Sequence, residues 1–294
     1  SVFVLDEAET PREVPIDVVQ LDARSCTVFA GRGGEGRGML PGVADRTIAD
    51  FGRALGERLV GVVGPALVGA YLHGSAALGG FQPGASDLDL LVVVNDRWQP
   101  EMRQGVVRVL QESHGSSPGR GIEASVIRQE VAQAGGHRID FEVHVSTDPN
   151  NRKVVDRVGH SGDPDLILHM AVCRQSAIAV FGQDPAAVFA DVEPTLVVGQ
   201  MIDELTWALA QGSEAYAVLN ACRARFYLER RVFCSKIEGG RWARNRFDVA
   251  RLIDRSLAAQ EGRGDDQPPS PLCKTFVDGA ISALTTELNN QRTD

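Results

Sequence analysis

The chain has 294 residues, of which 43% are hydrophobic and 23% are charged, a balance that excludes an intrinsically disordered protein. No apolar run reaches the roughly 18 residues that a membrane-spanning helix needs, so we expect no membrane partner. The net charge of −9 disfavours nucleic acid as a partner and favours a cationic one.

The first 42 residues form an N-terminal extension to which we assign no role. Its apolar stretches VFVL and IDVVQL predict one or two short strands, and the glycine- and arginine-rich run at 30–42 is typical of a linker. The extension shows no secretory signal, and the five cysteines of the chain are scattered without a CxxC pair. Both features indicate a protein of the reducing cytoplasm.

Residues 43–150 mix helical and strand patterns. Apolar residues recur every three or four positions over 43–64, which predicts an amphipathic helix, and a second helical pattern covers 100–113. Short apolar segments predict strands at 66–72, 87–94, 122–127 and 139–145. This mixture indicates an α/β or α+β domain.

The pattern changes after residue 150. Helical spacing covers the segments 164–181, 195–211, 213–233, 248–260 and 271–289, with breaks at glycine and proline between them. We therefore predict a second, all-helical domain over 151–294, a bundle that follows the first domain.

Two carboxylates begin the predicted strand at 87–94. Residues i and i+2 of a strand point to the same side, so Asp87 and Asp89 project together and repel each other. A cation would relieve this repulsion, and oxygen ligands suit Mg²⁺. Because Mg²⁺ usually completes its shell with water and substrate phosphates, the pair predicts a phosphorylated substrate.

Other residues nearby fit the same chemistry. Gly74 and Ser75 follow a predicted strand and open a helix, where free N–H groups and a hydroxyl can bind phosphate. Two-metal transfer of a nucleotidyl group needs a third carboxylate, which holds the second ion and accepts a proton. The best candidate is Glu123, a charged residue within the apolar segment GIEASVI.

These residues also carry a family resemblance. The segment HGSAALGGFQPGASDLDLLVVV at 73–94 resembles the GS-x(n)-DxD signature of the DNA polymerase β-like nucleotidyltransferase superfamily. Within it, the chain most resembles the aminoglycoside adenylyltransferases that modify streptomycin at 3″ and spectinomycin at 9. Glu123 and FEVHV match the strands that follow the signature, and DELTW, VLNACR and SKIEGGRWA resemble later helical motifs.

The resemblance implies a fold and a reaction. The fold is α+β: an N-terminal nucleotidyltransferase domain, a mixed sheet with flanking helices, followed by the helical domain. ATP would lie between the domains, and AMP would pass from Mg-ATP to a hydroxyl of the antibiotic, giving resistance. Asp87 and Asp89 would hold two Mg²⁺ ions together with Glu123, which would also be the base. The implied nucleotide contacts are Gly74, Ser75, Ser86, Arg223 and Lys236.

The acceptor side is less complete. The resemblance implies substrate contacts from Trp207, Glu214 and Asp165, although Trp207 also has core spacing and Asp165 also suits the start of a helix. The chain reads STDPN at 146–150, where the family has an aromatic residue that stacks on the aminoglycoside. Two alternatives stay open: a nucleotidyltransferase acting on another small cationic molecule in biosynthesis or detoxification, and a non-catalytic nucleotide-binding regulator. The complete carboxylate set argues against the regulator, and we assign no oligomeric state.

Overall fold

The structure is a computed structural model that describes residues 43–157 and 161–291. The N-terminal extension, with its two predicted strands and its linker, lies outside the described residues. Among the described residues, no helix combines the length and the apolar character that crossing a membrane requires.

The described residues form one mixed sheet of six strands in the order β5-β4-β3-β2-β1-β6. Strands β2 and β3 pair in parallel, and every other neighbouring pair is antiparallel. The strands are β1 Leu67–Leu72, β2 Leu88–Val94, β3 Ile122–Arg128, β4 Val143–Ser146, β5 Lys153–Asp156 and β6 Ile178–Gly182.

Helices flank the sheet and then form a separate helical region. In chain order they are α1 Val43–Val63, α2 Gly74–Ala77, α3 Pro100–Ser113, α4 Gln129–Ala132, α5 Leu166–Ser176, α6 Pro185–Val188, α7 Pro194–Gln211, α8 Glu214–Arg230, α9 Lys236–Ala243, α10 Ala250–Gln260 and α11 Pro271–Gln291. The predicted α+β class, a mixed sheet with flanking helices followed by a helical region, is confirmed.

Strand β2 lies in the middle of the sheet and is buried on both faces. Its even-numbered residues from Leu88 to Val94 pack with α1 and α3, while Leu91 and Val93 pack on the opposite face with residues of α4, α5 and α6. Burial of both faces explains why the strand reads as a continuous apolar run. Helices α7 to α11 enclose a core of their own.

The sheet receives strands from beyond residue 150. The predicted helix at 164–181 is wrong at its end, because α5 stops at Ser176 and residues 178–182 form β6 on the edge of β1. A short apolar run such as IAVFG suits a helix or a strand equally, and the free edge of β1 decides between them. The predicted strand at 139–145 is shorter than expected, since β4 begins at Val143. The domain boundary near residue 150 stays a prediction.

Two glycines let α1 lie close to β6. A Cβ atom added to Gly56 would lie 2.7 Å from the backbone oxygen of Val180, and one added to Gly52 would lie 2.6 Å from the Val180 side chain. Since real Cβ atoms do not approach this closely, the helix or strand would have to shift. Gly61, on the same helix, has open space around it.

We expect Gly56→Ala to lower the free energy of unfolding and Gly61→Ala to raise it. Alanine is the better helix former by up to about 1 kcal/mol, so only the contact with β6 can reverse the sign. Urea denaturation of both variants measures the two changes. A stabilising Gly56→Ala substitution would contradict the close packing of α1 on β6.

Candidate active site

The predicted carboxylates meet at one edge of the sheet. The parallel register of β2 and β3 places Asp89 directly opposite Glu123, and Asp87 lies just before β2 on the same side as Asp89. The backbone N–H of His73, at the end of β1, donates to the carbonyl of Asp89 at 3.0 Å. The sheet therefore brings the end of β1, with Gly74 directly after it, to the predicted metal ligands.

Gly74 allows a close approach that other residues would block. Its φ of +56° lies in the left-handed region, and an added Cβ would overlap the carboxylate of Asp89. The start of α2, with Ser75, therefore lies against Asp89. A second glycine, Gly80, contacts the start of α9, because its Cβ would lie 2.7 Å from the Cβ of Ser235.

The loop before β2 is held by backbone and side-chain hydrogen bonds. Ser86 Oγ accepts from the N–H of Gln82 at 3.1 Å, and the Ser86 carbonyl accepts from the N–H of Arg120 at 2.9 Å. The Arg120 guanidinium donates to Asp87 Oδ2 at 2.8 Å and lies 3.0 Å from Asp148 Oδ2. Sequence analysis missed Arg120, which partly neutralises the acidic edge.

The positive groups near the acidic edge neutralise its negative charge only in part. Burial raises the pKa of Asp89 to about 7; nearby His169 opposes this shift, whereas the negative charges of Glu123 and Asp87 add to it. Within the described part of the chain, Asp87 Oδ1 is buried without a hydrogen-bond partner. These features fit a divalent cation with oxygen ligands.

The carboxylates at this edge suit a divalent cation because of their oxygen atoms and not because of a preformed metal-binding cage. Across 43–157 and 161–291, no three carboxylate, histidine or cysteine side chains stand in a metal-binding arrangement. Mg²⁺ is commonly held by one or two carboxylates together with substrate phosphates, so a complete protein cage is not required. The roles of Asp87, Asp89 and Glu123 as metal ligands stay predictions.

Two histidines with lowered pKa values lie beside this edge. His144 lies on β4 opposite Ser125, with Nδ1 3.0 Å from Ser125 Oγ and Nε2 3.5 Å from Glu123 Oε1. Burial, followed by the nearby charge of Lys153, lowers the pKa of His144 to about 4. His73 is also buried, and its pKa is lowered well below the usual value, first by burial.

Helices α8 and α9 contribute the two predicted phosphate contacts, Arg223 and Lys236. Arg223 Nε donates to the Cys234 carbonyl and Nη1 to Asn220 Oδ1, each at 3.0 Å. Burial, and then the positive charge of Arg223, lower the pKa of Lys236 to about 8. Asp89 raises this pKa, so the lysine and the acidic edge share one electrostatic environment.

Trp207 and Asp165 lie near a carboxylate that sequence analysis missed. Trp207 is 54% exposed, so its core alternative does not hold. Glu204, one helical turn before Trp207, accepts from the Tyr216 hydroxyl at 3.0 Å. The pKa of Asp165 is raised by burial and then by Asp163 and Glu204, while His169 lowers it. The spacing of Glu204 and Trp207 by three residues on one helix was the available signal.

Glu214 is not brought to this cleft. It is only 3% exposed, its Oε1 pairs with Arg255, and its Oε2 accepts from the N–H of Ser270 at 3.1 Å. Both oxygens are therefore occupied within the helical region. The prediction that Glu214 binds substrate is corrected: its position in the chain resembled an acidic loop, but it begins α8 and faces inward.

Two family models match separate parts of this chain. A nucleotidyltransferase domain model matches residues 63–141, and a model of the aminoglycoside adenylyltransferase C-terminal domain matches 187–280. The spectinomycin 9-adenylyltransferases of Staphylococcus aureus strains Mu50 and N315 are each 27% identical over 224 residues, covering 69% of this chain and 82% of theirs.

One solved structure has a similar fold. It is a crystal structure of a spectinomycin adenyltransferase from Enterococcus faecialis with ATP and spectinomycin. The TM-score is 0.61 at 17% sequence identity, and the similarity covers 78% of this chain and 96% of that one. This likeness supports the predicted nucleotidyltransferase fold followed by a helical domain.

We expect Glu214→Gln to destabilise the protein at neutral pH by about 1–3 kcal/mol. Burial alone would raise the pKa of Glu214, but the donors Ser270 and Arg255 outweigh it and hold that pKa below its usual value. Its contribution to stability is thus present above the unfolded-state pKa and is lost as pH falls through the lower folded-state pKa.

Urea unfolding of wild type and Glu214→Gln from pH 7 to pH 3 measures this contribution. The difference in unfolding free energy between the two proteins should shrink as pH falls. A variant of normal stability with weakened acceptor binding would show instead that Glu214 serves the substrate.

Proposed function

Since the chain is an adenylyltransferase of the aminoglycoside adenylyltransferase-like nucleotidyltransferases, we propose that it moves AMP from Mg-ATP to a hydroxyl of an aminocyclitol antibiotic of the spectinomycin or streptomycin type. The observation that carries this proposal is the juxtaposition of Asp89, Glu123 and Gly74 at one edge of the sheet. The S. aureus relatives are named for transfer to spectinomycin. We also propose a cytoplasmic location, because the proposed reaction consumes ATP.

The acidic edge is suited to the metal-dependent part of the reaction. Asp87, Asp89 and Glu123 are the residues that would hold two Mg²⁺ ions. Bound Mg²⁺ would supply positive charge to the phosphates as the transferred group passes between oxygens. The buried, unpartnered Oδ1 of Asp87 and the raised pKa of Asp89 support this assignment.

Glu123 is the residue to which we assign acceptance of the proton of the attacking hydroxyl. It lies next to Asp89, and His144 Nε2 stands 3.5 Å from its Oε1. A carboxylate in this position serves as a general base for attack on the α-phosphorus. Pyrophosphate leaves with its charge opposed by Arg223, Lys236 and the start of α2 at Ser75.

The acceptor would bind against the helical side of the cleft. Asp165 and Glu204 offer carboxylates to ammonium groups, and exposed Trp207 offers an aromatic wall. Glu204 supplies the charge that Glu214 does not. A cationic small molecule fits this set better than a neutral one.

The end of β4 and the residues after it support a second candidate acceptor. Ser146 at the end of β4 and Thr147 and Asp148 after it are buried and none is aromatic, so this segment offers the cleft no aromatic ring. A nucleotidyltransferase that acts on another small cationic molecule is therefore the second candidate.

We expect Glu123→Gln to lower kcat for AMP transfer by about 10²–10⁴-fold, because a neutral amide cannot accept the proton. Pyrophosphate release is measured with Mg-ATP and a panel of aminoglycosides including spectinomycin and streptomycin. The exposed Glu57→Gln serves as the matched control. Glu123→Gln turning over at the normal rate would refute the base assignment.

The same panel separates the candidate functions. Release with spectinomycin or streptomycin supports the proposal, and release only with another acceptor supports the second candidate. ATP binding without release for every acceptor supports the regulator.

We also expect ATP binding to weaken as pH rises through about 8, because Lys236 then loses its proton. The groups that influence its charge are Arg223 on α8, Glu204 on α7, Asp89 on β2 and Asp266 before α11. Loss of one charged contact should raise the Kd roughly tenfold.

Calorimetric titration with ATP at pH 7 and pH 9.5, without added metal, measures the effect. Lys236→Arg keeps its charge at both pH values and should show little change. An equal loss of affinity in wild type and Lys236→Arg would show that another group titrates.

A further inference from the structure

The predicted phosphate-binding lysine rests on an aromatic ring. Lys236 Nζ lies 4.1 Å from the centroid of the Tyr216 ring. The Tyr216 hydroxyl donates to Glu204 Oε1 at 3.0 Å, and the Trp207 ring meets the tyrosine edge to face at a centroid distance of 5.7 Å. Tyr216 thus connects the proposed acceptor wall to the proposed phosphate site.

The kind of support matters for a residue that must bind an anion. Across the described residues, no carboxylate lies within ion-pair distance of Lys236. In an ion pair, a carboxylate would neutralise the positive charge of the ammonium. That charge would then be less available to attract a phosphate. The face of an aromatic ring attracts the ammonium and leaves its full positive charge.

The ring is itself held firmly. Tyr216 lies in the first turn of α8, where its N–H donates to Oγ of the N-cap residue Ser213. Burial raises the pKa of its hydroxyl, and the charge of Glu204 raises it further, so the phenol stays a donor to Glu204. Trp207 packs against the ring, which cannot turn without breaking this contact.

A lysine side chain without such support loses much freedom when it binds. Its four-carbon stem is flexible, and ordering it on binding costs rotamer entropy. Lys236 lies at the first position of α9, so its backbone is fixed by the helix. The ring of Tyr216 fixes the other end of the side chain before nucleotide arrives.

We propose that Tyr216 is a positioning residue that holds the ammonium of Lys236 ready for the phosphates of the nucleotide, with Glu204 and Trp207 holding the ring. The inference rests on the proposed function for the phosphate role of Lys236. It assigns Tyr216 no contact with the substrate.

The test is a double-mutant cycle on ATP affinity, measured by calorimetry on the full chain. Tyr216→Leu removes the ring face and should raise the Kd for ATP about two- to thirtyfold. Tyr216→Phe keeps the ring and should change the Kd less than Tyr216→Leu does. In a Lys236→Ala background, Tyr216→Leu should cause no further loss.

Two results would overturn the inference. One is an unchanged Kd in Tyr216→Leu, and the other is the same fold loss with Lys236 present and absent. Thermal unfolding monitors the folding of each variant, and Tyr216→Met repeats the measurement if the leucine variant is unstable. Tyr227→Leu, which removes another α8 tyrosine that lies under Arg231, is the matched control and should leave ATP affinity unchanged.

The cycle also separates this inference from the proposed function. A normal Kd in Lys236→Ala would remove the phosphate role of the lysine and overturn the inference, whereas AMP transfer is judged separately by pyrophosphate release. Coupling between Tyr216 and Lys236 without AMP transfer to any acceptor would sustain the inference and reject the proposed reaction.

Discussion

The parallel pairing of β2 with β3 is the constraint on which the site depends. The backbone hydrogen bonds between the two strands place Asp89 beside Glu123, and no attraction between the two side chains is needed. Both faces of β2 are buried, so the strand cannot slide without exposing its apolar residues. Burial of the apolar residues of β2 therefore keeps two carboxylates side by side at one edge of the sheet. Their mutual repulsion favours the binding of a cation there.

Close backbone contacts then decide how near the other groups come. Gly74 lets the start of α2 lie against Asp89, and Gly80 lets the following loop lie against Ser235 at the start of α9. Lys236 comes directly after Ser235 in the chain. Two positions without side chains thus bring the turn predicted to bind phosphate and a lysine of the helical region to the same cleft.

The charged groups in and around the cleft differ in how completely they are partnered. Asp87 shares Arg120, and Glu214 is fully occupied by Arg255 and Ser270. Lys236 has an aromatic ring instead of a carboxylate, and Asp165 carries a raised pKa. Groups with complete partners stabilise the fold, whereas the incompletely partnered groups are those to which we assign contacts with nucleotide, metal or a cationic acceptor.

The sequence by itself determined the parts whose signal is local. Spacing or a contiguous motif predicts the strand at Leu88–Val94, the turn at Gly74–Ser75 and the paired aspartates. Spacing also predicts helices α7, α8, α10 and α11, whereas α9 lies between the predicted helical segments. The resemblance added Arg223 and Lys236, which the structure places near each other. The Glu123 prediction depended on reading a charged residue in an apolar strand, and the sheet register puts that residue next to Asp89.

Only the tertiary structure decided the parts that depend on contacts distant in the chain. Residues 178–182 became a strand because β1 had a free edge, and Glu214 turned inward because Arg255 and Ser270 met it from elsewhere in the helical region. Glu204 and Tyr216 gained a role through a hydrogen bond between two helices. Periodicity records which side of an element faces a core, but it does not record which side chains from other elements meet there.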